Sequence, residues 1–213
     1  MAAAYDDRID TILPKSDLFF SSCISFIPDG QITVLELGSG TGYATSKILE
    51  THPQAVITCM DHSPEMIACA RQKPELESVE IIEQDIREPW PVTQYDVIMT
   101  TLCLHHIPGN DRLVLLRRVH DALSSGGLFI CGDIIRPVQA TAEEVYQDRW
   151  VKAMASAGLS ETQIIEITAS RRANYPEMET IPGCFKKMNQ IGFSRVFMPY
   201  KHEISAVFIG MKE

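Results

Sequence analysis

Val34-Leu35-Glu36-Leu37-Gly38-Ser39-Gly40-Thr41-Gly42 decides how this chain is read: an apolar run carrying one acid, then three glycines at alternate positions. Residues without a Cβ let a ligand lie directly on backbone and accept φ/ψ values closed to other residues. A dinucleotide fingerprint, G-x-G-x-x-G counted from Gly38, would need its third glycine at position 43, which is Tyr43. Glu36, two residues before the first glycine, would sit badly beside a pyrophosphate and well beside an amine or a sulfonium. The turn therefore favours a cationic ligand over a nicotinamide dinucleotide.

Working outward, strand-like runs recur near residues 33–38, 55–60, 79–84, 95–101 and 127–133, with helical stretches between them. Such alternation implies right-handed βαβ units and a parallel sheet covered on both faces. Ligands in sheets of this kind lie outside the carboxyl ends of the strands. Two last strands, near 193–199 and 203–210, are joined by so short a turn around Tyr200-Lys201 that they must be antiparallel. Asn110-Asp111 is expected to cap a helix with Leu113, Leu116, Val119 and Leu123 on one side, ended by Gly126-Gly127.

Several residues fall at strand tips. Asp61 stands about 20 residues beyond the last glycine, where a ribose diol finds a bidentate acceptor. Ser63-Pro64 reads as the cap and first residue of the next helix, which leaves Asp61 free. In Gln84-Asp85-Ile86 a carboxylate beside an exposed amide suits an exocyclic amine and a ring nitrogen. The run from Tyr95 to Thr101 reads as a buried central strand that spills into a loop holding His105 and His106. Adjacent histidines point in different directions and no third ligand lies at a local spacing, so a pocket wall is expected and no metal.

On these residues the chain resembles the class I S-adenosylmethionine-dependent methyltransferases, whose first motif is E/D-x-G-x-G-x-G; the likeness runs from about Thr33 through Asp133. It implies an α/β, Rossmann-like doubly wound fold: a seven-stranded, mostly parallel sheet with an antiparallel last strand beside the fifth, and helical lid insertions. It implies S-adenosyl-L-methionine as cofactor, S-adenosyl-L-homocysteine as product, and methyl transfer to a small-molecule acceptor. The cofactor residues it implies are Glu36, Gly38, Ser39, Gly40, Gly42, Asp61, His62, Met66, Asp85, Ile86 and Thr101, with Asp61 on the ribose and Asp85, Ile86 and Met66 around the adenine. More distantly the chain resembles the enzymes that make or use carboxy-S-adenosylmethionine for tRNA wobble uridine modification. A non-catalytic module binding an adenosyl ligand is the third reading.

The resemblance also divides the chain, as one domain over 1–213, into an N-terminal helical lid (1–30), a cofactor-binding core (33–133), a helical substrate cap (134–190) and a C-terminal hairpin (191–213). In the lid, Tyr5 and Arg8 resemble a Tyr-x-x-Arg arrangement that offers a stacking surface and a partner for the methionine carboxylate. The cap reads as helices from Ala142 to Ala157, from Ser160 to Ser170 and from about Pro176. Its candidate substrate contacts are Arg136, Tyr146, Arg149, Trp150, Arg171, Arg172 and Tyr175, with His105 on the loop. In-line transfer from a sulfonium needs positioning and dryness more than covalent help. A hydroxyl or acidic-carbon acceptor would also need a base, for which His106, Asp133 and His202 are the candidates.

Composition narrows the partners. The 213 residues, 45% of them apolar, suffice for one good core. No run of some twenty apolar residues is present, and Asp6, Asp7 and Asp10 stand where a secretory leader would be basic then apolar, so a cytoplasmic protein without a membrane partner is expected. Six scattered cysteines without a C-x-x-C pair read as reduced core thiols. A net charge of −9 without a basic block argues against nucleic acid, and a homodimer is compatible with the composition.

Overall fold

In the computed structural model, which describes residues 5–90 and 94–213, strand β1 (Thr33–Leu37) lies inside a seven-stranded sheet. Its neighbours are β2 (Val56–Asp61) and β4 (Tyr95–Thr101), both parallel to it. With β3 (Glu80–Glu83), β5 (Leu123–Ile134), β6 (Arg195–His202) and β7 (Ser205–Met211), the strand order is β3-β2-β1-β4-β5-β7-β6. The order reverses between β1 and β4, the switch point where a crevice opens at the carboxyl ends of parallel strands. β7 enters antiparallel between β5 and β6, as expected for the last strand.

Side-chain alternation explains why the sheet is covered on both sides. Val34, Ile57, Val97, Met99, Ile130, Val207 and Ile209 pack with α1 (Tyr5–Ile12), α2 (Ser16–Ile24) and α3 (Tyr43–Thr51). Leu35, Leu37, Ile98, Phe129 and Phe208 face the other way, against α5 (Gly109–Ala122) and α8 (Ile181–Ile191). Helix α4 (Pro64–Ala70) follows β2, capped by Ser63 with Pro64 at its first position. A smaller cluster of Trp150, Met154, Ile164 and Ile204 seats α6 (Ala140–Ser156) and α7 (Glu161–Asn174) on the end of the β6–β7 hairpin. Among the described residues no helix is long and apolar enough to cross a membrane.

Four boundaries differ from expectation. Helix α5 begins at Gly109 after Pro108 with no side-chain cap, so Asn110 and Asp111 lie inside its first turn. It ends at Ala122, before Gly126-Gly127, because the chain already pairs with β4 at Leu123. The third cap helix starts at Ile181: Tyr175–Glu177 is a single 3-10 turn, and Glu179 then bridges Ile135 before Thr180 caps α8. The hairpin turn falls at Glu203-Ile204, with His202 opposite Ser205, since Tyr200 and Lys201 continue the ladder. The N-terminal segment expected to form a lid holds the helices α1 and α2; residues 1–4 of it lie outside the described residues.

Candidate functional site

At the switch point lies a cleft of about 570 Å³, within the usual range for a small-molecule site. The turn after β1 forms its floor. The Gly38 and Ser39 amides donate to the Met60 carbonyl at 2.8 and 3.2 Å, stitching the turn to β2. Gly38 has φ +67°, and a Cβ there would meet Cys103 Sγ at 2.3 Å, so only glycine fits between the two loops. Gly40, φ +55°, faces open space within the cleft, where a bound group can reach backbone. Gly42 lies behind the cleft wall as the residue before α3, against Leu76.

The acids of the site differ in state. Glu36 lines the cleft although only 1% exposed, and Thr45 on α3 donates to it. Burial pushes its carboxyl up to about 7, with Thr45 working against the shift. Asp61, 7% exposed, is not free: one carboxylate oxygen accepts the Gly40 amide and the other the Ser63 amide, each at 2.8 Å. Ser63 does cap α4, accepting from the Met66 amide, and Asp61 ties the glycine turn to the start of that helix. Each oxygen retains a lone pair for a hydroxyl. Asp85 is gripped by Arg87, whose Nε and Nη2 reach its oxygens at 3.0 and 2.6 Å; these bonds hold it down at about 2, an obligate carboxylate. The Ile86 carbonyl is taken by Trp90 and Arg118, while no hydrogen bond engages its amide among the described residues.

Tyr5, Ser39, His62, Met66, Ile86, Thr101 and His106 also line the cleft. Tyr5 arrives because α1 is docked: Ile9 is buried, and Asp6 accepts from Thr41 and pairs with Lys73. Burial raises the Tyr5 phenol to about 12, so it stays a neutral donor. Arg8, one turn along, is not among the lining residues, nor does it pair with Asp7 or Asp10 among the described residues.

The histidine pair divides its work. The 3-10 turn Leu104–His106 sets the rings 3.9 Å apart. His105 Nδ1 meets Asp133 Oδ1 at 2.6 Å, and the same oxygen accepts the Ile134 amide. Neither His105 nor Asp133 lines the cleft; Asp133 holds the turn through His105. His106 does line it, and desolvation together with the neighbouring His105 lowers its pKa to about 4. The residue keeps an open face to solvent, which moderates that effect. The Asn174 amide lies 3.3 Å from His106 Nδ1. An Asn174 amide donating there leaves the proton on Nε2, the nitrogen that is not engaged by Asn174. Among the described residues no group of three His, Cys, Asp or Glu side chains is arranged to hold a metal.

The cap candidates scatter. Trp150 is core, its Nε1 donating to the Ile12 carbonyl at 2.6 Å. Arg171 is buried and paired to Glu143 at 2.8 Å, and Tyr175 lies beside both Arg171 and Arg136. Arg149 pairs with Glu203, and Arg172 is exposed. Arg136 and Tyr146 line a second cavity, and His202 ends β6 away from the cleft. Three site residues were missed in the sequence. Thr45 faces inward from α3, Arg87 follows Asp85 by two, and Arg112 breaks the apolar stripe of α5. That break was a readable signal: an arginine three and four residues before Leu115 and Leu116 is on the buried face.

Sheet order, crevice and glycine turn together define a Rossmann-like methyltransferase fold. Residues 34–127 match the family described as a methyltransferase domain. The chain is 26% identical over 176 residues to a malonyl-[acyl-carrier protein] O-methyltransferase of Bacillus cytotoxicus, which covers 76% of this chain and 61% of that protein. It is 26% identical over 137 residues to a trans-aconitate 2-methyltransferase of Rhodococcus jostii, 62% of this chain and 52% of that one. A crystal structure of the plantazolicin methyltransferase BpumL with a monoazolic desmethylPZN analog and S-adenosylhomocysteine superposes with TM-score 0.70 at 17% identity, covering 100% of this chain and 89% of that one. The chain spans about half the length of the curated relatives it matches. Over residues 34–127 the chain is thus similar to methyltransferase domains, and the fold is that of the solved methyltransferases.

Proposed function

We propose that this chain takes S-adenosylmethionine into the cleft at the β1–β4 switch point and methylates a small-molecule acceptor there. One observation carries the reading: the glycine turn, Asp61 and the Asp85-Ile86 pair, from three strand tips, line a single cavity. Their remaining hydrogen-bonding capacity fits an adenosyl group. Asp61 keeps lone pairs for two ribose hydroxyls, Asp85 accepts an exocyclic amine beside the unengaged Ile86 amide, and Met66 offers an apolar face. Glu36 and the open side of Gly40 suit a cationic amino-acid end, under Tyr5.

When bound there, S-adenosylmethionine would supply a methyl group on a sulfonium for in-line transfer to an acceptor, its sulfur leaving as the neutral thioether of S-adenosylhomocysteine. The chain's part is to hold the reactants at near-attack distance and keep water out. Tyr5 on α1 closes one side, and Leu102, Cys103 and Ile107 form an apolar wall at the other. Neutral His106, with Nε2 protonated, orients the acceptor by donating to it. An acceptor that ionises readily, or a neutral nitrogen or sulfur, needs nothing further. The relatives named for malonyl-[acyl-carrier protein] and trans-aconitate support a metabolite-type acceptor. The absence of a basic block and a net charge of −9 disfavour a nucleic-acid acceptor.

Calorimetric titration of S-adenosylhomocysteine tests the reading. The wild-type chain should bind, and Asp61→Ala should weaken binding at least tenfold, about 1.4 kcal/mol. Equal affinity in the two proteins would sink the assignment.

A further inference from the structure

Across the carboxyl end of β5 from the cleft lies a second cavity, of about 290 Å³, that shares none of the cleft's lining residues. Its floor is rigid: Ile135 bridges Glu179, and the Arg136 amide donates to the Glu179 carbonyl at 2.9 Å. Two cations reach it from different elements. Arg136 is held through Nε, which donates to the Met178 carbonyl at 2.8 Å, while its terminal nitrogens make no hydrogen bond among the described residues. Lys201, on β6, extends over the Tyr146 ring with Nζ 4.6 Å from the centroid and 3.1 Å from its hydroxyl, and pairs with no carboxylate among the described residues.

The nearby acids are already neutralised. Glu203 lines the cavity but is paired with Arg149, and Glu143 is held by Arg171. Apart from Gln139, the rest of the wall is mainly apolar, with Ile135, Pro137, Val138, Ile181 and Pro182. A guanidinium fork with its inner nitrogen fixed is preorganised for the two oxygens of a carboxylate, and a second cation lining the same cavity adds to its attraction for an anion. An apolar wall at the same place selects an anion carrying a hydrocarbon body.

We propose that this cavity binds an organic carboxylate, held by Arg136 and Lys201 with its apolar portion against Val138 and Pro182. The site stands independently of the methyl-transfer reading, because it uses neither the glycine turn nor the strand-tip acids.

The test is calorimetric titration of the full chain with phenylacetate as probe, against benzyl alcohol as its uncharged counterpart and against inorganic phosphate. Phenylacetate should bind saturably and more tightly than either control, and Arg136→Met and Lys201→Met should each weaken it at least fivefold. Both variants should bind S-adenosylhomocysteine as the wild type does. Lys201 is exposed on an edge strand, so its replacement leaves a folded protein even where loss of the Arg136–Met178 bond does not. Benzyl alcohol or phosphate binding as tightly as phenylacetate, or phenylacetate affinity unchanged in Lys201→Met, overturns the proposal. Phenylacetate binding in a protein that fails to bind S-adenosylhomocysteine would instead count against the cleft assignment alone.

Discussion

Glu36 is where sequence chemistry and environment meet most sharply. An ordinary glutamate titrates near 4.3; this one, shut between β1 and α3, is pushed up to about 7. The folded state thus holds its proton more tightly than the unfolded chain. The stability this contributes is complete below about pH 4 and is lost as pH rises through 7. Glu36→Gln keeps an acceptor for Thr45 and has no proton to lose. In the absence of ligand, the fall in melting temperature between pH 5 and pH 8 should therefore be shallower in the variant. A cationic ligand end favours the carboxylate, so wild-type affinity for S-adenosylhomocysteine should climb with pH toward 8 while that of Glu36→Gln stays flatter. Parallel slopes for the two proteins, by thermal melts and calorimetry, would show that the buried charge is not what the pH dependence reports.

Among the elements, the loop after β4 depends on a residue that does not touch the cleft. Arg112 on α5, 3% exposed, donates to the carbonyls of Leu104, Ile107 and Glu177 at 3.0, 2.7 and 2.5 Å and reaches Glu179 at 3.4 Å. It joins the turn that carries His106 to the segment between α7 and α8. Arg112→Met leaves the Ile107 and Glu177 carbonyls without this donor, while Leu104 keeps the Ile107 amide and Glu179 keeps Lys187, a loss of about 1–3 kcal/mol. Denaturant midpoints should show that loss. In protein that remains folded, turnover should fall by more than S-adenosylhomocysteine affinity does, since the turn moves and the strand tips stay. An affinity loss equal to the turnover loss would remove Arg112 from this positioning role.

At the scale of the molecule, the C-terminal hairpin completes the sheet and the N-terminal helix closes the cleft. Ala206, Val207, Phe208 and Ile209 of β7 are essentially buried between β5 and β6, on both faces. Removing residues 193–213 uncovers those faces and the edge of β5, so the shortened chain should show no cooperative thermal transition. Removing residues 1–12 should leave a cooperative, less stable protein with weakened S-adenosylhomocysteine binding, because α1 brings Tyr5 and Asp6 to the turn but no strand. A cooperative transition in the first deletion, or undiminished affinity in the second, would contradict this division of labour.

What the sequence determined by itself is local and periodic. The apolar runs, the positive-φ glycines and the acids at strand tips are set by residue type and spacing, so the sheet, its antiparallel end and the place of the cleft were readable from one chain. Helix and turn ends were not, because Leu123 obeys pairing with a strand distant in the chain, and Tyr200 and Lys201 stay in the β6–β7 ladder over the local turn signal. Tertiary structure alone decided that Asp61 is already engaged by Gly40, that Asp133 stands behind His105, and that Trp150 is core. It also decided that Arg136 and Lys201, 65 positions apart, converge on one cavity. The physical reason is common to all of these. A polar side chain's role depends on which partners burial leaves it, and those partners arrive from parts of the chain that only folding brings together.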